Sequence, residues 1–450
     1  MFDKLKSWWT LDELAESKSA DNPFSPITPE QRRGTMPMLT LAFGWGFLIT
    51  GLITGGQLGA GVSFWPELIY ASFIGNVINF IIGALVAYIG FKTACNSGLL
   101  FQFIYGRVGV YLPVIFLAIL TTGWQAIVVG AFGFAWAQDF DSSAFYFAAV
   151  FGGLLFTGTT YFGVKGLERV SVPSVLILVG VGLYVIYINV DKAGGFYSFL
   201  QMSEDVSSQN PISFYNAVNL VVGAWIVGAV VMSEYSRFAK KTWVALAIPF
   251  IVMIIAQWFL QIVGALGGIV SGQADFTTTL LQQGMVIGGI GLIGMSLALW
   301  TSGDANLYLP VIQTAVVFKR PKRVMVVIWG LLGTFLGLGL YQYFLDWIMI
   351  LAALVPPLIG PLIVDYYIIN KGNYNTSDLN RLHSWNPSAI ISYVIGAFFA
   401  YSVTYGLIDV SEVYIPSMIG LIISMLVYFL IYIIFIILNK KVGYSGIVER

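Results

Sequence analysis

Long apolar runs alternate with short polar joints along almost the whole chain after residue 35. Runs of about 20 residues are what a helix needs to cross a bilayer. They predict about twelve spans, at 36–56, 67–90, 109–137, 144–163, 170–190, 213–235, 243–271, 279–302, 323–340, 343–369, 388–407 and 414–438. The eighth ends oddly, because apolar character resumes after Ser302-Gly303-Asp304 and runs on to Phe318. The first 35 residues are polar and lack the apolar core of a cleaved signal. Within them, Trp8, Trp9, Leu11 and Leu14 fit either a short interfacial helix or a disordered tail. The pattern therefore predicts an N-terminal tail over 1–35, one transmembrane domain over 36–438 and a C-terminal tail over 439–450.

Glycine interrupts two of these spans. The first carries Gly44-Trp45-Gly46-Phe47, then Thr54-Gly55-Gly56-Gln57, Gly59 and Gly61. The sixth carries Gly223-Ala224-Trp225-Ile226-Val227-Gly228. Every backbone polar group in a bilayer needs a partner, so loosened helix is expected only where it lines a cavity or is buried in protein. Glycine-broken spans at matching places in two halves point to the binding site of a secondary transporter. Two spans five apart run in opposite directions. The expected fold is an all-α integral membrane protein, an inverted five-plus-five repeat with broken helices 1 and 6 and two accessory helices.

Basic residues orient the chain. With the N-terminus inside, the inner joints hold Lys92, Arg107, Lys165, Arg169, Arg237, Lys240, Lys241, Lys319, Arg320, Lys322, Arg323, Lys371 and Arg381. The tails add Lys4, Lys6, Lys18, Arg32, Arg33, Lys440, Lys441 and Arg450, and Lys192 alone falls outside. This predicts a multi-pass protein of the plasma (cytoplasmic) membrane with both termini cytoplasmic.

Composition narrows the chemistry. Of 450 residues, 58% are hydrophobic and 10% charged, which makes lipid the solvent. The net charge is zero and no basic tract invites nucleic acid. One cysteine and one histidine exclude a disulfide framework and argue against a metal cluster. No cofactor is expected beyond a coupling ion.

No Lys, Arg or His falls in the middle of a span, which favours a neutral flat solute over an anion. Trp124 and Trp225 offer faces for stacking, or are simply core aromatics. Asp304 in an apolar stretch costs about 2.5–3.5 kcal/mol on insertion scales, so it meets a partner, a wet cavity or the substrate, or holds span eight in register. Thr301 and Ser302 would complete an oxygen cage for a hard monovalent cation opposite the first break, or back-bond to their own helix. Glu234 and Arg237, three apart at the inner end of span six, form a gate or a packing pair. Asp365 sits near the same surface as a candidate gate residue.

These residues resemble the nucleobase–cation symporter-1 (purine/cytosine permease) family, its bacterial cytosine-permease branch in particular. The landmarks are Thr54-Gly55-Gly56…Gly59, Ile74-Gly75-Asn76, Tyr88-Ile89-Gly90-Phe91-Lys92-Thr93 and Gly123-Trp124. Later come Val221-Val222-Gly223, Arg237-Phe238, Leu299-Trp300-Thr301…Asp304 and Pro356-Pro357…Gly360…Asp365-Tyr366. The resemblance implies the inverted-repeat fold and inward carriage of a neutral base with Na+ or H+. It gives Na+ the carbonyls of Gly44, Phe47 and Ala298 and the hydroxyls of Thr301 and Ser302. It sandwiches the base between Trp124 and Trp225, the latter replacing a phenylalanine. The family's polar contacts change: glutamine becomes Thr121, two serines become Ala224 and Val227, and two asparagines become Ala298 and Gly303. Asn306, Gln125, Gln57 or Thr121 would substitute, for a cytosine-like pyrimidine, a purine or another heterocycle.

The expected function is secondary active symport of a neutral nucleobase or related heterocycle with Na+ in preference to H+. A passive channel would need a continuous polar lining, and a membrane enzyme would need paired catalytic groups beside the solitary Asp304.

Overall fold

The computed structural model describes residues 9–10, 23–162, 164–271, 276–282, 284–410, 414–438 and 444. The expectations for Lys4, Lys6, Trp8, Leu11, Leu14, Lys18, Lys440, Lys441 and Arg450 lie outside them, as do the side chains of Lys165 and Arg169. Among the described residues the chain is helical, with one isolated β-bridge between Arg33 and Ala239.

In chain order the helices are α1 (Thr35–Gly46), α2 (Thr50–Gly61), α3 (Ile69–Thr93), α4 (Ser97–Tyr105), α5 (Tyr111–Ala137), α6 (Ser143–Tyr161) and α7 (Val164–Lys192). Next come α8 (Phe196–Gln209), α9 (Phe214–Val230), α10 (Ser233–Ser236), α11 (Thr242–Pro249) and α12 (Trp258–Ser271). The chain ends with α13 (Phe276–Leu281), α14 (Met285–Phe318), α15 (Lys322–Gly337), α16 (Phe344–Leu354), α17 (Pro356–Ile363), α18 (Pro387–Thr404) and α19 (Pro416–Ile437). Among the described residues, eight helical stretches are long and apolar enough to cross a membrane, or nine if the bent α1–α2 pair is one span. Helices α7, α14 and α15 pack among them, an arrangement consistent with twelve spans.

The spans sort into two groups. In the first, α2 lies along α12, α3 along α9 and α11, and α1 against the π-helical stretch Phe250–Gln257 that links α11 to α12. In the second, α5 packs on α6, α14 and α15. Helices α18 and α19 pair with each other and against α16 and α17 at the edge.

Helix 1 is broken at the first of its glycine runs and not at the second. The chain leaves helical geometry at Phe47 (φ −84°, ψ 49°) and resumes at Thr50, and the two halves meet at 41°. Gly55, Gly56, Gly59 and Gly61 lie in the regular helix α2. Their task is close packing: a Cβ on Gly55 would come 2.1 Å from the Gln261 carbonyl oxygen, and one on Gly59 2.5 Å from that of Ala265. From the other side, a Cβ on Gly264 would meet the Leu52 carbonyl at 2.1 Å. Lipid supplies no hydrophobic force between helices, so such approach of backbones is what holds the pair.

Helix 6 is likewise continuous through Gly223–Gly228. It ends at Val230, and the turn at Val231–Met232 precedes α10. Span eight corrects in the opposite sense, since α14 runs unbroken through Ser302-Gly303-Asp304 to Phe318. Two short helices, α4 and α8, occupy joints where the apolar pattern predicts none.

A strap formed by residues 23–33 crosses one end of the bundle. The Ile27 amide donates to the Ala94 carbonyl and the Asn96 side chain to the Pro23 carbonyl, while the Arg33 amide donates to the Phe238 carbonyl. The Arg32 guanidinium reaches the carbonyls of Ala239 and Phe91, 4.9 Å above the Phe91 ring. Tyr444, from the other tail, stacks near Phe103 of α4, so both described tail segments lie at the same end.

Candidate functional site

A small cavity lies where the helix-1 break faces α5, α9 and α14. Its walls are Trp45, Leu48, Thr50, Thr121, Trp124, Ala224, Trp225, Val227, Gly228, Asn306 and Leu309. Water centres have about 30 Å³ to occupy, room for a water but not for a ring. Trp124, Trp225, Thr121, Ala224 and Asn306 are thus brought together as the sequence suggests. Trp225 meets Trp45 edge-on at 5.3 Å between centroids, and Trp45 lies 4.3 Å from Tyr235. Trp124 meets Phe344 edge-on at 5.9 Å. The buried Trp225 Nε1 and Asn306 Nδ2 have no hydrogen-bond partner, which marks them as groups a ligand could satisfy. The Thr121 hydroxyl donates to the Leu117 and Ala118 carbonyls, leaving its lone pairs to accept.

Three expected contacts fall elsewhere. Gln125 points away from the cavity, against Gly333 of α15. Gln57 is not among the lining residues. Asp304 accepts from the Thr159 and Thr160 hydroxyls of α6 at 2.6 and 3.2 Å, and Trp300 Nε1 donates to Thr159. It ties α14 to α6, which answers its insertion cost without a substrate. Trp45 is the residue the sequence reading missed; its position inside Gly44-Trp45-Gly46-Phe47 was the available signal.

Of the expected cation ligands on α14, Ser302 reaches the break. The Ile49 amide, freed by it, donates to the Ser302 hydroxyl at 3.1 Å, drawing α14 against the broken stretch. The Thr301 hydroxyl donates to the Leu297 and Ala298 carbonyls, so its lone pairs face outward. Gly44 lies in the last turn of α1 and Phe47 caps it. This is an oxygen-only donor set, suited to a hard cation. The Gly46 and Leu48 carbonyls beside Phe47 receive the Gln257 side-chain amide.

The candidate gate residues are all buried. Glu234 accepts from the Ser97 amide at 3.1 Å and from the Ser97 hydroxyl, so its charge caps the N-terminus of α4. Gln313 of α14 donates to the same hydroxyl at 3.2 Å. Arg237 is fully buried; its Nε donates to the Glu234 carbonyl, and its guanidinium lies 4.6 Å over Phe238. Asp365 is an anchor: it accepts from Tyr374, Tyr428, Asn370 and the Tyr444 amide.

Comparison with known proteins agrees with this architecture. Residues 26–417 match the family described as permease for cytosine/purines, uracil, thiamine, allantoin. The cytosine permease of Escherichia coli (strain K12) is 30% identical over 380 residues, covering 84% of this chain and 88% of that protein. A purine-uracil permease of Arabidopsis thaliana is 25% identical, covering 84% of this chain and 70% of its own. The solved structure of MHP1, a nucleobase-cation-symport-1 family transporter closed around bromovinylhydantoin, superposes with TM-score 0.76 at 18% identity, covering 91% of this chain and 94% of that one. A Na+-coupled sialic acid symporter in a substrate-bound outward-open state gives 0.62 at 15% identity, covering 95% and 96%.

Its relatives make this chain a permease rather than an enzyme. The chain belongs to the family of permeases for cytosine/purines, uracil, thiamine and allantoin, within nucleobase-cation-symport-1.

Proposed function

We propose that this permease is a secondary active symporter that imports a neutral nucleobase or related heterocycle with Na+ by alternating access. Its place would be the plasma membrane, with both termini cytoplasmic. The observation that carries the reading is the shared use of one break: Trp45 and Leu48 wall the aromatic cavity, while Ile49, the next residue, is bonded to Ser302 of the oxygen set. A cation held by Gly44, Phe47, Ala298, Thr301 and Ser302 would draw the first helix group onto the second and so order the walls of the base site. One cation entering down the membrane potential contributes about 2.3 kcal/mol per 100 mV, enough with its own gradient to accumulate a neutral solute.

In this reading Trp124 and Trp225 stack on the base, Trp45 moves aside to admit it, and Thr121 and Asn306 meet its polar edge. Glu234 latches α4 at the inner end and releases it when that end opens. The skewed distribution of basic residues supports the inward placement of this end.

Uptake of radiolabelled cytosine into proteoliposomes, with and without an inward Na+ gradient, tests the proposal, and a panel of unlabelled bases in competition ranks the substrate. Saturable uptake driven by the gradient is expected. Thr301→Ala should raise the Na+ concentration for half-maximal uptake. Flux indifferent to any gradient would establish a passive channel instead.

A further inference from the structure

Gln257 is buried at the end of the π-helical stretch Phe250–Gln257, just after Pro249. π-Turns inside membrane helices often mark functional positions, because the wide turn re-aims the residues that follow. Here the turn brings a side-chain amide to the helix-1 break: Nε2 donates to the Gly46 carbonyl at 2.6 Å and reaches the Leu48 carbonyl at 3.4 Å. Glycine permits the approach. A Cβ on Gly46 would stand 2.8 Å from that of Ala256, and one on Gly51 would stand 2.7 Å from Gln257 Oε1. That Oε1 is buried with no partner, a cost that a purely structural glutamine would have no reason to keep.

The two carbonyls that Gln257 engages flank that of Phe47, which sits at the non-helical residue of the break. On the opposite side the stretch is held by Ser302 through the Ile49 amide. The broken backbone is therefore gripped between the π-helical stretch and α14.

Building on the cation site proposed above, we infer that Gln257 is a positioning residue for the coupling ion. By fixing the carbonyls of residues 46 and 48, it sets the direction in which the Phe47 carbonyl presents its oxygen, and so pre-organises the site before the ion arrives. It binds neither base nor ion itself.

The test compares wild type, Gln257→Leu, Gln257→Met and, as a control one turn along, Gln261→Leu, which loses only a bond to Asn76. Two quantities are read: the Na+ concentration for half-maximal uptake, and the KM for cytosine at saturating Na+. Na+-induced stabilisation of the purified protein against heat, with choline as the control ion, is read beside them. Loss of this buried donor should raise the Na+ half-saturation about tenfold in both Gln257 variants, with the base KM within about twofold of wild type. The Gln261 variant should lower stability without a selective change in Na+ affinity. Wild-type uptake independent of Na+ would remove the underlying cation site. Na+-dependent wild type with unchanged half-saturation in the Gln257 variants would overturn the positioning role alone. So would equal loss of ion and base affinity, the same shift in Gln261→Leu, or failure of both Gln257 variants to fold, each of which makes Gln257 a packing residue.

Discussion

Replacing Gly55 by alanine separates two explanations of glycine in helix 1 by the sign of the effect. If Gly55 loosens the helix, alanine should stabilise it by roughly 1 kcal/mol, the ordinary difference in helix propensity. The structure demands the reverse. The new Cβ would lie 2.1 Å from the Gln261 carbonyl oxygen, 2.7 Å from its carbon and 2.8 Å from its Cα, all backbone atoms of α12. Ordinary contact begins near 3.4 Å, so the helices must part by more than 1 Å along the most extensive helix pair in the fold. A gap of 0.5–1 Å already forfeits about a quarter to a half of each dispersion contact, and overpacking of this kind costs about 1–3 kcal/mol. Thermal unfolding of the detergent-purified protein should show a midpoint several degrees lower, with weaker uptake because α2 leads directly out of the break. Gly158→Ala on α6 is the control, since a Cβ there meets nothing within 4 Å. A Gly55→Ala protein at least as stable as wild type would refute the packing argument.

Two further outcomes follow from the end of the bundle that carries the strap. Asp365→Leu should destabilise the protein by about 3 kcal/mol or more, because it strands the Tyr374 and Tyr428 hydroxyls and the Tyr444 amide, whereas Tyr428→Phe should cost only about 1 kcal/mol; matched thermal melts decide it. Cys95, in the joint after α3, is fully buried, and burial pushes its thiol up to about 12. It should resist maleimide at neutral pH in the folded protein and react promptly in SDS; rapid labelling of native protein would contradict its burial.

The spans, the opposed pair of interrupted helices and the aromatic pair Trp124 and Trp225 were legible because each depends on local chain properties: run length, parity and residue type. Which of the glycines mark an interruption was not. Glycine serves equally for unwinding and for close approach, and which of these applies depends on the helix opposite, here some 200 residues away at Gln261 and Ala265. The break falls at Phe47–Ile49, directly after the Gly44-Trp45-Gly46-Phe47 run, and is stabilised by Gln257 and Ser302 from distant spans. Asp304 shows the same limit. Its insertion cost announced a partner, but the partners are hydroxyls 144 and 145 residues earlier, on α6. Helices α4 and α8 escaped notice because nine and 14 residues are too few to span.

The strap of residues 23–33 also sets an order of assembly. It leaves the ribosome first, yet Arg32 closes on Ala239, 207 residues later, and Arg33 on Phe238. At about 5–20 residues per second of synthesis, those partners emerge roughly 10–40 s after the strap itself. The strap thus completes its docking only after the sixth span is in place. A nascent chain halted before that point would lack the Arg32 and Arg33 bonds to Ala239 and Phe238, and a protease added to ribosome-bound chains of graded length would find the strap looser there.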